Sequence, residues 1–278
     1  MTLPVAGAPI GVFDSGMGGL TVLAALRSQM PGEDFLYLGD TARLPYGTKS
    51  GDTVARYALQ AAEALVARGI KALVVACNTA SSVALPALRA RFPGLPVIGV
   101  VDPGAEAAVR ATRTGHIAVI ATEGTVRGGA YQVAIERLMP GAQVRSAACQ
   151  VFVALAEEGW TEGPVADAAA ESYLRPLLAG SAGDAASADV LVLGCTHFPR
   201  LIGPISRVAG PGVRIVDSAA TTAAAALAQL EQAARLCGRS GSGSTRFLAT
   251  DGTQRFVRVG SGFLGAAIAP ADVELIDL

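Results

Sequence analysis

Ala72-Leu-Val-Val-Ala-Cys-Asn-Thr and Val190-Leu-Val-Leu-Gly-Cys-Thr-His share one plan: an uncharged apolar run, a cysteine, then two polar residues. A second pair, Ile10-Gly-Val-Phe-Asp-Ser-Gly and Ile117-Ala-Val-Ile-Ala-Thr-Glu-Gly, precedes them by a comparable distance in each half. The period is about a hundred residues, too long for a solenoid, so the pattern reads as a duplicated domain. Any two buried strands look alike in composition. The shared cysteine and its polar followers take the likeness further.

Short apolar runs alternate with longer amphipathic stretches around these anchors. Strands are expected at Ile10 to Phe13, Phe35 to Leu38, Ala72 to Ala76, His116 to Ala121, Val144 to Ala147, Asp189 to Leu193 and Val213 to Val216. Helices are expected at Gly18 to Met30, Asp52 to Ala67, Ala80 to Arg91, Val126 to Met139, Val151 to Glu158, Val165 to Leu178 and Thr221 to Arg235. The tail from Thr245 adds a strand, a short helix and a final strand, after a flexible linker at Gly238 to Gly243. Such alternation predicts an α/β fold of two similar parallel-sheet domains related by pseudo-symmetry, with the active site at their interface. Ligands belong at the carboxyl ends of the strands.

Composition narrows the function classes. The chain has 278 residues, of which 51% are hydrophobic and 16% charged, which excludes a disordered chain. Its 22 Lys and Arg nearly balance 23 Asp and Glu, so no nucleic-acid partner is expected. The apolar runs fall well short of the ~20 residues of a membrane span. No signal peptide is visible. Four cysteines do not make a disulfide framework in a chain of this size, and a cytoplasmic protein with reduced thiols is expected.

A single cysteine after an apolar strand is most often a small buried hydrophobe. Cys77 and Cys195 differ because each ends its strand, precedes an expected helix, and is followed by Asn78-Thr79 or Thr196-His197. A helix N-terminus favours a thiolate, so both thiols are expected to titrate closer to neutrality than a free cysteine. Duplication would set the two strand ends face to face. Two opposed acid/base groups suit inversion at carbon, with a proton leaving one face and another arriving at the other. Other readings fit less well. Zinc calls for closely spaced ligands, and Cys149 and Cys237 stand in unrelated contexts. A cysteine hydrolase would use one thiol with a histidine, either His116 or His197, and leave the other thiol idle.

Asp14-Ser-Gly-Met-Gly-Gly imitates a dinucleotide loop, with Asp40 in the place of a ribose-binding acid. Thr21 then stands where the third glycine belongs. The loop amides and Ser15 are better suited to a small anion such as a carboxylate. Asp14 would bind an ammonium or a catalytic group, or else cap the following helix. Pro45-Tyr46-Gly47 is a turn by composition, and either a surface loop or a substrate-binding one.

Together these residues resemble the glutamate racemase family of the aspartate/glutamate racemase superfamily. The anchors are Gly11-Val-Phe-Asp-Ser-Gly-Met-Gly-Gly-Leu, Tyr37-Leu-Gly-Asp-Thr-Ala-Arg-Leu-Pro-Tyr-Gly, Ala76-Cys-Asn-Thr-Ala and Gly194-Cys-Thr-His-Phe-Pro. The resemblance implies cofactor-independent interconversion of L- and D-glutamate, supplying D-glutamate for peptidoglycan biosynthesis, by a homodimer with no metal. It implies Cys77 and Cys195 as the acid/base pair, with Asp14 assisting the first and His197 the second. Ser15, Tyr46, Gly47, Asn78, Thr79, Thr125 and Thr196 would contact substrate. Glu157 would act from the second domain, with Glu158 as the alternative, because Gln150 replaces a common proline in that frame. Gly128 stands where serine is frequent. The family pattern also implies a discontinuous first domain, residues 1–100 and 213–278, around a second at 101–212.

Overall fold

The computed structural model describes residues 6–179 and 187–278. Among the described residues, ten strands form two parallel sheets. In the first, β1 (Ile10–Asp14), β2 (Phe35–Gly39), β3 (Ala72–Val75) and β4 (Val97–Gly99) run in the order β2-β1-β3-β4. The second holds β5 (His116–Ala121), β6 (Gln143–Ala148), β7 (Val190–Gly194) and β8 (Arg214–Asp217) in the order β6-β5-β7-β8. The two orders are the same, with β1 matching β5 and β3 matching β7. The first sheet is extended beyond β2 by β9 (Thr245–Ala249) and β10 (Val273–Leu275).

Among the described residues, twelve α-helices surround the sheets. Those of the first half are α1 (Leu20–Gln29), α2 (Gly51–Val66), α3 (Asn78–Val83) and α4 (Leu85–Arg91). The second half holds α5 (Val101–Ala111), α6 (Glu123–Gly128), α7 (Ala130–Leu138), α8 (Gln150–Glu158), α9 (Pro164–Leu178) and α10 (Ile202–Ala209). The chain closes with α11 (Ser218–Gln232) and α12 (Thr253–Leu264).

Central strands are buried on both faces, as parallel strands under two helical layers must be. Alternate residues serve different layers. Phe13, Leu73 and Val75 face a cluster with α2 and α4, whereas Ile10, Val12 and Val74 face α1 and α11. In the second sheet Val190 and Val192 pack with α5 and α7, while Leu191 and Leu193 turn the other way. The inward sets of both sheets belong to one continuous core that takes in Leu20, Tyr37, Phe152, Phe198 and Phe256.

Four expectations are corrected. The helix expected from Ala80 to Arg91 is two, α3 and α4, with the break at Ala84; Pro86 sits in the first turn of α4, where its missing N–H costs nothing. The helix expected from Val126 to Met139 begins at Glu123 and breaks at Gly129, whose φ of 63° is left-handed. The strand expected near 213 pairs with β7, so the chain changes sheet after Asp217 rather than at 213. The Gly238 to Gly243 segment is pinned rather than free. Arg239 pairs with Asp34 at 2.8 Å, the Cys237 amide donates to Glu33 Oε1 at 2.6 Å, and the Gly243 amide donates to the Pro31 carbonyl at 2.7 Å. Glu33 is itself buried against Lys71.

Candidate active site

The carboxyl ends of β1, β3, β5 and β7 meet at the junction of the two sheets. Cys77 follows β3 and Cys195 follows β7, and both line one cavity of about 320 Å³. Both thiols are free and each is only 5% exposed. Ser15, Tyr46, Gly47, Asn78, Thr79, Glu157, Thr196 and His197 line the same cavity.

Each thiol has different company. Cys77 caps α3, accepting from the Ala80 amide at 3.5 Å, and its Sγ lies 3.5 Å from Ser15 Oγ. The expected helix effect is present, but it loses. Burial and the nearby Asp14 carboxylate outweigh the Ser15 and Ala80 contacts and push the Cys77 thiol up to about 12. Cys195 Sγ lies 3.8 Å from His197 Nδ1. The far nitrogen, Nε2, is 3.1 Å from Glu157 Oε1. Burial disfavours charge on His197, yet the Cys195 and Glu157 contacts and the Asp14 carboxylate together push its pKa up to about 10. Glu157 lines the cavity, and Glu158 is exposed.

Asp14 is 1% exposed, and its carboxyl is pushed up by burial. The His197 charge and the amides of Gly19, Gly16 and Ser15 act against that shift. Gly16 N donates to Asp14 Oδ2 at 2.9 Å. These loop amides point at the Asp14 carboxylate. Asp14 is not the N-cap of α1, since that position is Gly19. Asp40 is wholly buried and accepts from Tyr46 Oη, Arg43 Nε and Thr250 Oγ1, so it braces the loop instead of binding a ribose. Tyr46 lines the cavity with its hydroxyl committed to Asp40 and its ring against Phe13 and Tyr57.

Thr79 Oγ1 meets Thr122 Oγ1 at 3.0 Å and Thr125 Oγ1 at 3.2 Å, a hydroxyl cluster spanning the two halves. Thr125 stands behind this cluster rather than among the cavity-lining residues. Asn78 Oδ1 accepts from Tyr131 Oη at 2.8 Å, while its Nδ2 and Asp14 Oδ1 have no protein partner. Among the described residues no acidic, histidine or cysteine cluster could hold a metal.

Sequence reasoning missed Thr122, Gln150, Val153 and Leu44 on the cavity wall, and Arg255 behind it. Thr122 was within reach: in the duplicated strands it is the counterpart of Ser15. The others carry no pattern of their own. Gly18 was also passed over, although a Cβ there would collide with the His197 ring and Thr196.

Duplicated parallel sheets that each deliver a thiol to a shared cavity define a class of two-domain α/β enzyme. The Asp/Glu/hydantoin racemase family model matches residues 20–226, and the chain belongs to that family of isomerases. A curated glutamate racemase from Geobacter metallireducens is 48% identical over 259 residues, covering 93% of each chain. Among solved structures, the glutamate racemase of Francisella tularensis in complex with D-glutamate superposes with a TM-score of 0.89 at 33% identity, covering 98% of both chains. The Thermus thermophilus glutamate racemase, in complex with β-chloro-D-alanine, gives 0.85 at 42% identity over 99% of this chain and 98% of that one.

Proposed function

We propose that the chain interconverts L- and D-glutamate by two-base proton transfer between Cys77 and Cys195. The observation that carries this is the placement of both strand-end thiols on one cavity, in a chain similar to glutamate racemases along nearly its whole length. One thiolate takes the α-proton: its S–H bond forms as the Cα–H bond breaks. The other thiol gives its proton to the opposite face, and its S–H bond breaks. The next turnover in reverse restores the first state. Asp14 assists Cys77, and His197, backed by Glu157, assists Cys195. In the family pattern Cys77 serves D-glutamate and Cys195 serves L-glutamate.

Substrate charge supplies what the empty cavity lacks. The ammonium beside Cys77 offsets the burial that holds this thiol protonated. Asp14 Oδ1 and Asn78 Nδ2, both without a protein partner, complement an ammonium and a carboxylate. Ser15, Thr79, Thr196 and the Tyr46-Gly47 loop complete the binding set, with Thr125 supporting Thr79 from behind, and no cofactor is required. The domains divide where the sheets do, with 101–217 as the second. D-Glutamate would go to peptidoglycan biosynthesis in the cytoplasm, and the working form would be a homodimer.

The direct test is circular dichroism of L-glutamate incubated with purified, PLP-free protein, and optical activity should decay to zero. Persistent rotation from a folded enzyme sinks the reading, and faster turnover of L-aspartate would transfer it to an aspartate racemase. In deuterium oxide at early times, product should carry α-deuterium while recovered substrate stays protiated. Cys77→Ala and Cys195→Ala should each abolish turnover, and near-wild-type activity in either would end the two-thiol scheme.

A further inference from the structure

Arg255 lies outside every motif, yet it is the last link of a side-chain chain that begins at a catalytic thiol. Its Nη2 donates to Glu157 Oε2 at 2.8 Å. The other oxygen of that carboxylate, Oε1, meets His197 Nε2, and His197 Nδ1 faces Cys195. Arg255 comes from α12, which packs on the first sheet, whereas Glu157, His197 and Cys195 all belong to the second half. The ion pair therefore closes across the junction.

The placement of Arg255 is fixed by its neighbour. Phe256 is fully buried, with its ring 5.9 Å from Tyr37 and 6.0 Å from Phe247. Tyr37 in turn donates to the Gly16 carbonyl in the Asp14 loop at 3.0 Å. Consecutive residues of one helix thus reach the supports of both thiols. Arg200 Nη1 ties the same helix to the second half through the Gly262 carbonyl at 2.6 Å.

We propose that Arg255 is a positioning residue for the Cys195 half-site: it holds Glu157 against His197 only when the two domains are together. The inference rests on the racemase reading for its kinetic consequence, but not for its structural one. Arg255 is not among the residues that line the cavity. It acts through a carboxylate whose side chain is 15% exposed, and whose ionisation burial opposes while His197 and Arg255 support it. Removing the guanidinium frees Glu157 to turn outward or to protonate. His197 then keeps Cys195 on one side, with Asp14 across the cleft and the ring of Phe263 at 5.0 Å. Loss of a nearby cation would by itself favour charge on His197. That effect is the weaker one, because Arg255 is 43% exposed and water screens it, while the Glu157–His197 contact is direct and more sheltered, its side chains 15% exposed or less.

The test uses Arg255→Met, Arg255→Lys, Glu157→Gln and the double variant Arg255→Met/Glu157→Gln. The chain has only two histidines, so the imidazole NMR titration of His197 can be read with His116 as the internal reference. Arg255→Met should lower the His197 midpoint by about half to one pH unit, which corresponds to a three- to tenfold change in the protonation equilibrium. Arg255→Lys should recover most of it. The loss should be absent in the Glu157→Gln background, because a residue that acts only through Glu157 has nothing left to position. Racemisation kcat should fall roughly five- to twentyfold in Arg255→Met with KM within about twofold, following the same non-additive pattern. An unmoved or raised midpoint, an additive double variant, or unchanged kcat overturns the proposal. Wild-type protein inactive on glutamate would instead overturn the racemase reading, and the titration would still be readable.

Discussion

The two thiols are equivalent by position and unequal by chemistry. In the duplicated strands Thr79 corresponds to His197 and Asp14 to Ala121. The first half thus keeps a carboxylate at the end of its first strand, and the second keeps an imidazole after its cysteine. Burial at Cys77 overrides the helix N-terminus that the sequence led us to weigh, because a six-residue helix offers one amide at 3.5 Å against nearly complete desolvation. The sign of the consequence is clear. A thiol pushed up to about 12 is protonated at neutral pH, and the folded state holds its proton more tightly than the unfolded chain does. Its contribution to stability is complete below the ordinary thiol range and is lost as pH rises from about 9 toward 12. Alkylation by iodoacetamide, mapped by peptide, should reach half-exposed Cys237 first, and labelling of Cys77 should still be accelerating above pH 10 in the substrate-free enzyme. A Cys77 labelling rate that levels off below pH 9 would contradict this account. What the sequence could show at this scale was the residue type and its place at a strand end. It could not show Arg255, whose role depends on a contact between helices nearly a hundred positions apart, with no periodicity to announce it.

At the scale of elements, the central strands were legible, whereas the three-residue β4 and the helix ends were not. The four central strands fall where apolar runs predict, because both faces are buried and no alternation is needed to recognise them. The breaks at Ala84 and Gly129 carry local signals, Pro86 and the Gly128-Gly129 pair, that the longer helical periodicity on either side outweighed in the sequence. The reason for some glycines is also tertiary. A Cβ on Gly124 would sit 2.8 Å from the Gly47 carbonyl, which is rigid backbone of the opposite domain. Gly128, only four residues on, has 3.7 Å to Ser82 Cβ, enough room for a side chain. Gly124→Ala should therefore push the Tyr46-Gly47 loop away from α6. It should cost about 1–3 kcal/mol in urea unfolding and raise KM for glutamate severalfold. Gly128→Ala should stay within roughly 0.5 kcal/mol of wild type with KM unchanged. Equal effects from the two substitutions would show that the 124–47 approach does not set the loop.

For the whole molecule, the doubled strand order was readable as a repeat of segments, and it is present as two sheets of the same topology. The extra strands β9 and β10 have no counterpart in the second sheet, and the linker before them is held by Glu33 and Asp34. The depth to which the halves share a core was not readable, because shared contact leaves no local pattern. That core runs from Leu20 and Tyr37 to Phe152 and Phe198 without interruption. The His197 ring packs edge-on against Phe263, and Thr21 Oγ1 donates to the Thr196 carbonyl at 3.1 Å. The halves should therefore unfold together. Hydrogen exchange should give β1, β3, β5 and β7 the same opening free energy, and a gap above about 2 kcal/mol between the sheets would mean two independent units.

The matched strand orders carry a consequence for handedness. Enantiomers are mirror images, and a chain of L-residues has no mirror plane to offer them. Its nearest substitute is a rotation, and repeating one sheet in the same order brings two thiols to one cavity from strands that match. The groups that grip the remaining three substituents cannot be repeated in that way, since a rotated grip would hold the wrong arms. Asp14 against Ala121, and Thr79 against His197, are the matched sequence positions where the repeat is given up. For a racemase, in which equal energies of the two products force equal kcat/KM in both directions, such a lopsided grip means that kcat and KM differ separately for the two hands of the substrate.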